Sequence, residues 1–183
     1  MFKFLKKSHV MMICLLFTTA SHANSWQSIH YLEPELLYES EAPQKAVAKL
    51  AQVNSSSFAA AIENVLNELP RYYPVAPTVS ELKSSNFYQE YDLDGGVFLA
   101  TLTKQGTKDL ILFGQLEFDD LENQVIVSLN GYDSDKQTEW KVVMSKFHYK
   151  ELAILTEVYT QLIFEVLNEP SAGLKPIYQQ VEQ

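Results

Sequence analysis

The chain has 183 residues, 46% of them hydrophobic, 20% charged and 12% aromatic, with 14 basic and 23 acidic side chains. That apolar fraction places it among folded proteins and excludes a disordered chain. A single cysteine excludes a disulfide scaffold and a cysteine-based zinc site, and a net charge of −9 argues against nucleic acid, whose phosphates need a basic surface.

Residues 1–23 read as a secretory signal peptide. Lys3, Lys6 and Lys7 form a positive start, an uncharged stretch runs from Val10 to Ala20, and Ser21-His22-Ala23 supplies the small-residue cleavage pattern. The apolar stretch is about half of the ~20 residues that span a bilayer, so cleavage after Ala23 is expected, with retention as an N-terminal membrane anchor as the alternative. Cys14 follows the bulky Met12 and Ile13, unlike a lipid-attachment site. Cleavage leaves 160 residues, removes three lysines and no acid, and so moves the net charge to −12. It leaves no cysteine, and His30 and His148 as the histidines. A chain of that size buries enough surface for one hydrophobic core. The expected division is a signal peptide at 1–23, an extended N-terminal arm at 24–44, a single α/β domain at 45–170 and a C-terminal tail at 171–183. After cleavage no stable membrane span is expected, and the acidic charge repels anionic lipid surfaces.

The arm holds Pro34, Pro43, four glutamates and the scattered aromatics Trp26, Tyr31 and Tyr38. Its Ile29–Leu37 stretch is compatible with a short strand. Residues 45–52 fit either a strand or the start of a helix. Phe58, Ile62, Val65, Leu66 and Leu69 then fall on one stripe of a 3.6-residue helix, with N-cap candidates at Asn54 to Ser56 and a stop at Pro70. Arg71 to Pro77 reads as an edge strand or extended connector, since Pro74 cannot donate to a ladder. Residues 78–96 are polar and end in Asp94-Gly95-Gly96, which predicts a loop with at most a short helical turn. Val97 to Thr103 fits helix and strand equally.

From Asp109 the pattern sharpens. Leu110 to Phe118 is apolar on both alternating faces at its start, as in a central strand covered on both sides. Val125 to Tyr132 and Thr138 to Phe147 follow as strands, joined by the polar turns Asp119–Asn123 and Asp133–Lys136. A helix from about Lys150 to Asn168 closes the chain before Pro170. The expected fold is therefore α/β (α+β): a three-stranded antiparallel meander with one or two further strands, packed by a helix from the N-terminal half, a short middle helix and a long C-terminal helix.

Chemistry-bearing motifs are sparse. Neither remaining histidine lies in a nucleophile or metal motif, and His148 reads as an exposed or capping residue. Gly95-Gly96 lacks the lysine and hydroxyl that follow in a phosphate loop. The clusters Asp92/Asp94 and Asp133/Asp135/Glu139 lack calcium-loop spacing, and turn chemistry explains the second. No cofactor, metal or catalytic residue is assigned. Tyr and Trp are typical interface anchors, which marks Trp26, Tyr31, Tyr38, Tyr72 and Tyr73 as candidate partner-binding residues. Tyr132 and Trp140 fall near strand ends in the same way.

Several segments between Phe58 and Leu167 carry a resemblance. They are Asn67-Glu68-Leu69-Pro70, Tyr73-Pro74-Val75-Ala76-Pro77, Lys108 to Gly114, Gln124 to Leu129, Tyr132-Asp133 and Thr138-Glu139-Trp140. Their order resembles the periplasmic α/β domain shared by the TolB N-terminal domain, the LpoB and CsgG-type lipoproteins and FlgO-like proteins. The resemblance implies a helix at Val97–Thr103, a periplasmic location and binding to other envelope proteins without chemistry. It departs from that group in lacking a clean first strand and a lipid-attachment cysteine. The expected function is an exported, non-enzymatic protein that binds or regulates a cell-envelope assembly. The alternatives are a small carboxylate-based hydrolase or ligand-binding protein, or an acidic inhibitor of the immunity-protein kind. The sequence leaves the oligomeric state open.

Overall fold

The structure is a computed structural model that describes residues 26–38, 43–73, 75–83, 86–103, 107–119, 121–143 and 146–168. The segments expected as a signal peptide and a C-terminal tail therefore lie outside the described residues. The strands are β1 (Ser28–Tyr31), β2 (Glu35–Tyr38), β3 (Thr78–Glu81), β4 (Asp109–Asp119), β5 (Gln124–Asp133), β6 (Thr138–Val143) and β7 (Phe147–His148). The helices are α1 (Gln44–Tyr72), α2 (Phe87–Leu102) and α3 (Leu155–Leu167), with a 3₁₀ turn at Tyr149–Ile154 before the last.

The strands form one mixed sheet in the order β3-β1-β4-β5-β6, with β2 also on β4 and β7 also on β5. The meander β4-β5-β6 is antiparallel, as expected. Four further short strands join it where one or two are expected. Two of them, β1 and β2, run in register with successive stretches of β4, from Ser28↔Asp109 to Tyr38↔Phe118. Of the segment expected as an arm, Ser28–Tyr31 and Glu35–Tyr38 are thus extended, but they belong to the sheet. The segment's Trp26, Ile29 and Leu32 are buried, which an appendage would leave in water.

The connections explain why helices cover both faces. β3 and β4 flank β1, and both run parallel to it. The crossover through α1 moves outward from β1 to β3, and the crossover through α2 moves back past β1 to β4. Two right-handed crossovers in opposite directions place their helices on opposite faces. One core accordingly joins α1 and α3 to Ile29, Leu110, Leu112, Leu116, Val127 and Leu129. A smaller core joins Phe87 and Leu99 of α2 to Leu32, Ile111, Phe113 and Tyr132. β4 feeds alternate side chains into each, which is why its sequence is apolar on both faces.

Element bounds depart from the sequence reading at several points. α1 begins at Gln44, because Leu50, Asn54 and Ser57 extend the buried stripe of Phe58, Ala61, Ile62, Val65 and Leu69 by two turns. Residues 45–52 are therefore helical, and Asn54 lies inside the helix and not at its cap. Pro70 does not stop it. It occupies the last turn, and the carbonyl it cannot serve is that of Leu66, on the 41% exposed side. α2 starts at Phe87, well inside the segment expected as a loop, and includes the stretch Val97–Leu102. Phe87 and Tyr91 stand one turn apart and both pack on Phe113, at 5.2 and 4.9 Å between ring centroids. Gly95, at φ +44°, interrupts this helix, a backbone region that side chains disfavour. Finally, the third meander strand ends at Val143, and Phe147–His148 resume pairing with β5. His148 then caps the 3₁₀ turn, its Nδ1 accepting from the Lys150 N–H at 3.2 Å.

Candidate functional site

The five candidate aromatics do not converge on one surface. Trp26 is 4% exposed and stacks on Trp140 at 6.4 Å. Tyr73 is buried at the end of α1, where its hydroxyl donates to the Leu167 carbonyl at 3.4 Å. Burial pushes that hydroxyl's pKa up to about 12. Tyr31 packs edge-on against Phe58 at 6.0 Å, and partial burial, with the Glu81 charge nearby, raises its pKa. These three serve the core. Tyr38 and Tyr72 are about half exposed, at 49% and 54%. Tyr38 ends β2 beside Phe118, whereas Tyr72 lies over Phe164 of α3 at 5.6 Å.

The acidic clusters behave as turn and packing groups. Asp133 Oδ1 accepts from the N–H groups of Asp135 and Lys136 at 3.0 and 3.1 Å, an Asx turn that closes the β5–β6 hairpin. Glu139 accepts from Tyr91 and from Asn130. Burial raises the Tyr91 pKa, and this bond to a carboxylate raises it further. Among the described residues no group of three His, Cys, Asp or Glu side chains is placed to hold a metal ion.

One hydroxyl–imidazole contact is present. His30 Nδ1 and Ser80 Oγ lie 2.8 Å apart, on β1 and β3. The two residues are partners in parallel register, so they form a cross-strand pair within the β1–β3 ladder. A nucleophilic serine instead meets Nε2 of its base, with Nδ1 held by a carboxylate and donors placed for an oxyanion. Here Nδ1 is taken by the serine, and the arrangement is that of a pair stitching two strands together.

Two surface features remain. The first is the outer side of β3, which has β1 as its single strand neighbour among the described residues. Thr78 N donates to Gln27 O at 3.0 Å and Leu82 N to Tyr31 O at 2.8 Å. Strand alternation then turns Thr78 and Ser80 toward β1 and leaves the N–H and C=O of Val79 and Glu81 facing outward. Val75, just before the strand, is 83% exposed. The sequence reading places an edge strand or connector at Arg71–Pro77. Arg71 and Tyr72 instead end α1, and the strand begins at Thr78, just past that segment, because Pro77 has no N–H and Thr78 supplies the first ladder donor.

The second feature is a groove of about 630 Å³ at the opposite end of α1. Leu50 and Val53 of α1, Phe118 of β4 and Leu152 of the 3₁₀ turn give it an apolar lining, and Lys49 and Lys150 come from its two walls. Asn123, in the left-handed region at φ +52°, shapes the adjoining turn and accepts from the Tyr149 N–H at 3.0 Å. No sequence motif marks the groove, since its residues come from positions about a hundred apart, and β3 is an open edge only through its pairing with β1.

No family model matches the chain, and no curated protein matches it. Solved structures do resemble it. A homolog of a neuraminyllactose-binding hemagglutinin from Helicobacter pylori is 12% identical, with 82% of this chain and 86% of that one covered and a TM-score of 0.34. PelC from Paraburkholderia phytofirmans, solved as a dodecamer, is 14% identical over 78% of this chain and 86% of that one, also at 0.34. The LpoB C-terminal domain from Salmonella enterica is 5% identical over 67% and 84%, again at 0.34. LpoB is one branch of the resemblance read from the sequence, and the TolB branch has no support in these comparisons. At such scores the likenesses assign no function to this chain.

Proposed function

We propose that this chain is an exported, non-enzymatic periplasmic protein that binds a cell-envelope protein assembly, receiving a segment of its partner as an added strand on β3. The open outer side of β3 carries this reading. Strand addition needs an exposed row of backbone donors and acceptors, and Val79 and Glu81 present such a row. Exposed Val75 beside it offers apolar contact. The β6 edge of the sheet is less receptive. β6 carries Glu139 and Lys141, both exposed, and Glu139 is already engaged by Tyr91 and Asn130. Export rests on the Lys3-Lys6-Lys7 start, the apolar stretch and Ser21-His22-Ala23. Among the described residues no helix is long and apolar enough to cross a membrane.

A photo-crosslinking amino acid at position 81 tests the reading in the cell of origin. The expected result is one dominant adduct with an envelope protein from position 81 and none from position 141. No adduct at 81, or equal adducts at both positions, contradicts it.

A further inference from the structure

The groove beside α1 is separate from the β3 edge, so ligand binding there is independent of strand addition at β3. Its volume of about 630 Å³ lies within the range of small-molecule sites, roughly 300–1,000 Å³. Its lining is mainly aliphatic, with Leu50, Val53 and Leu152 beside the Phe118 ring. The chain as a whole has 23 acidic against 14 basic residues, yet the described residues lining the groove include two lysines and no carboxylate. Among the described residues the ion pairs engage Arg71, Lys136 and Lys146, and neither Lys49 nor Lys150. Two cations over an apolar cleft, in a protein whose overall field repels anions, form a locally reversed charge pattern. That pattern matches a molecule with an aliphatic body and one anionic end. A bilayer surface fits less well, because the site is concave and the chain's net charge of −9 repels anionic lipid.

We infer that the groove binds a single-chain aliphatic carboxylate, with its chain along Leu50, Val53, Phe118 and Leu152 and its carboxylate held by Lys49 and Lys150. Calorimetric titration of the full chain with decanoate, and separately with decan-1-ol, tests this. Decanoate is expected to bind about tenfold more tightly than the alcohol, the scale of two partly screened ion pairs. The double variant Lys49→Glu/Lys150→Glu changes only exposed side chains, so the fold is kept, and it is expected to abolish that preference. In Ala46→Trp, the indole built on the exposed wall of the groove is expected to block both ligands. Equal binding of the two ligands, a preference that survives the double variant, or no binding of either overturns the inference.

Discussion

Replacing Gly114 with alanine is expected to destabilise the protein by about 3 kcal/mol, the upper range for overpacking a filled interior. Gly114 lies in the buried half of β4, opposite Leu129 of β5. A Cβ built on it would sit 2.1 Å from the Ser128 carbonyl oxygen and 2.9 Å from the Leu129 Cα. Both obstacles are backbone, so no side chain can swing aside. The two central strands must part, in a ladder that both cores depend on. For a domain of this size the loss corresponds to a fall in Tm of roughly 6–12 °C. A thermal melt within a degree or two of wild type would show that β4 and β5 are not packed as described. The glycine that ends the Lys108–Gly114 run is thus a consequence of backbone approach.

The second large effect is expected at a buried hydrogen-bond chain. The Tyr159 hydroxyl donates to Asn54 Oδ1, and Asn54 Nδ2 donates to the Pro34 carbonyl at 3.0 Å. Tyr159 and Asn54 are 0% and 2% exposed, so the chain ties α3, α1 and the β1–β2 connection together away from water. Burial also raises the Tyr159 pKa, which keeps the hydroxyl a donor. Asn54→Ala strands two groups, the hydroxyl and the Pro34 carbonyl, each at about 1–3 kcal/mol. Tyr159→Phe strands one, Asn54 Oδ1. Urea denaturation should therefore rank Asn54→Ala as the more damaging. The double variant should lose less than the sum, with a coupling of about 1–2 kcal/mol. Strict additivity would mean that the two side chains do not act as a unit.

Much of the fold is legible in the sequence because its signals are local. The Phe58–Leu69 stripe, the doubly apolar Leu110–Phe113 and the polar turns at Asp119–Asn123 and Asp133–Lys136 each fix their element from within a few residues. What escapes local reading is held by distant partners. Thr78–Glu81 has the composition of a loop and is a strand because its backbone bonds to β1, some fifty residues earlier. Ser28–Tyr31 and Glu35–Tyr38 are likewise fixed by β4. Tyr88 and Tyr91 look like part of a polar loop until Phe113 supplies the surface that Phe87 and Tyr91 cover. The same limit applies to function. Aromatic residues flag candidate anchors, but Trp26 and Tyr73 anchor the core. The surface features argued to bind partners use Val79, Glu81, Lys49 and Lys150, which are unremarkable by type. The Ser80–His30 contact shows the converse, a suggestive pair whose in-register geometry makes it a stitch between strands.

Partner binding by strand addition needs β3 to offer its backbone to another protein, and the most direct measurement compares Val79→Pro with Val79→Ala at that edge. The Val79 N–H faces outward, so proline there removes a donor the sheet does not use and keeps the fold, which circular dichroism verifies. Alanine trims the side chain and leaves the N–H in place. With the crosslinker at position 81, the adduct is predicted to vanish in Val79→Pro and to persist in Val79→Ala. An adduct undiminished by proline would contradict strand addition.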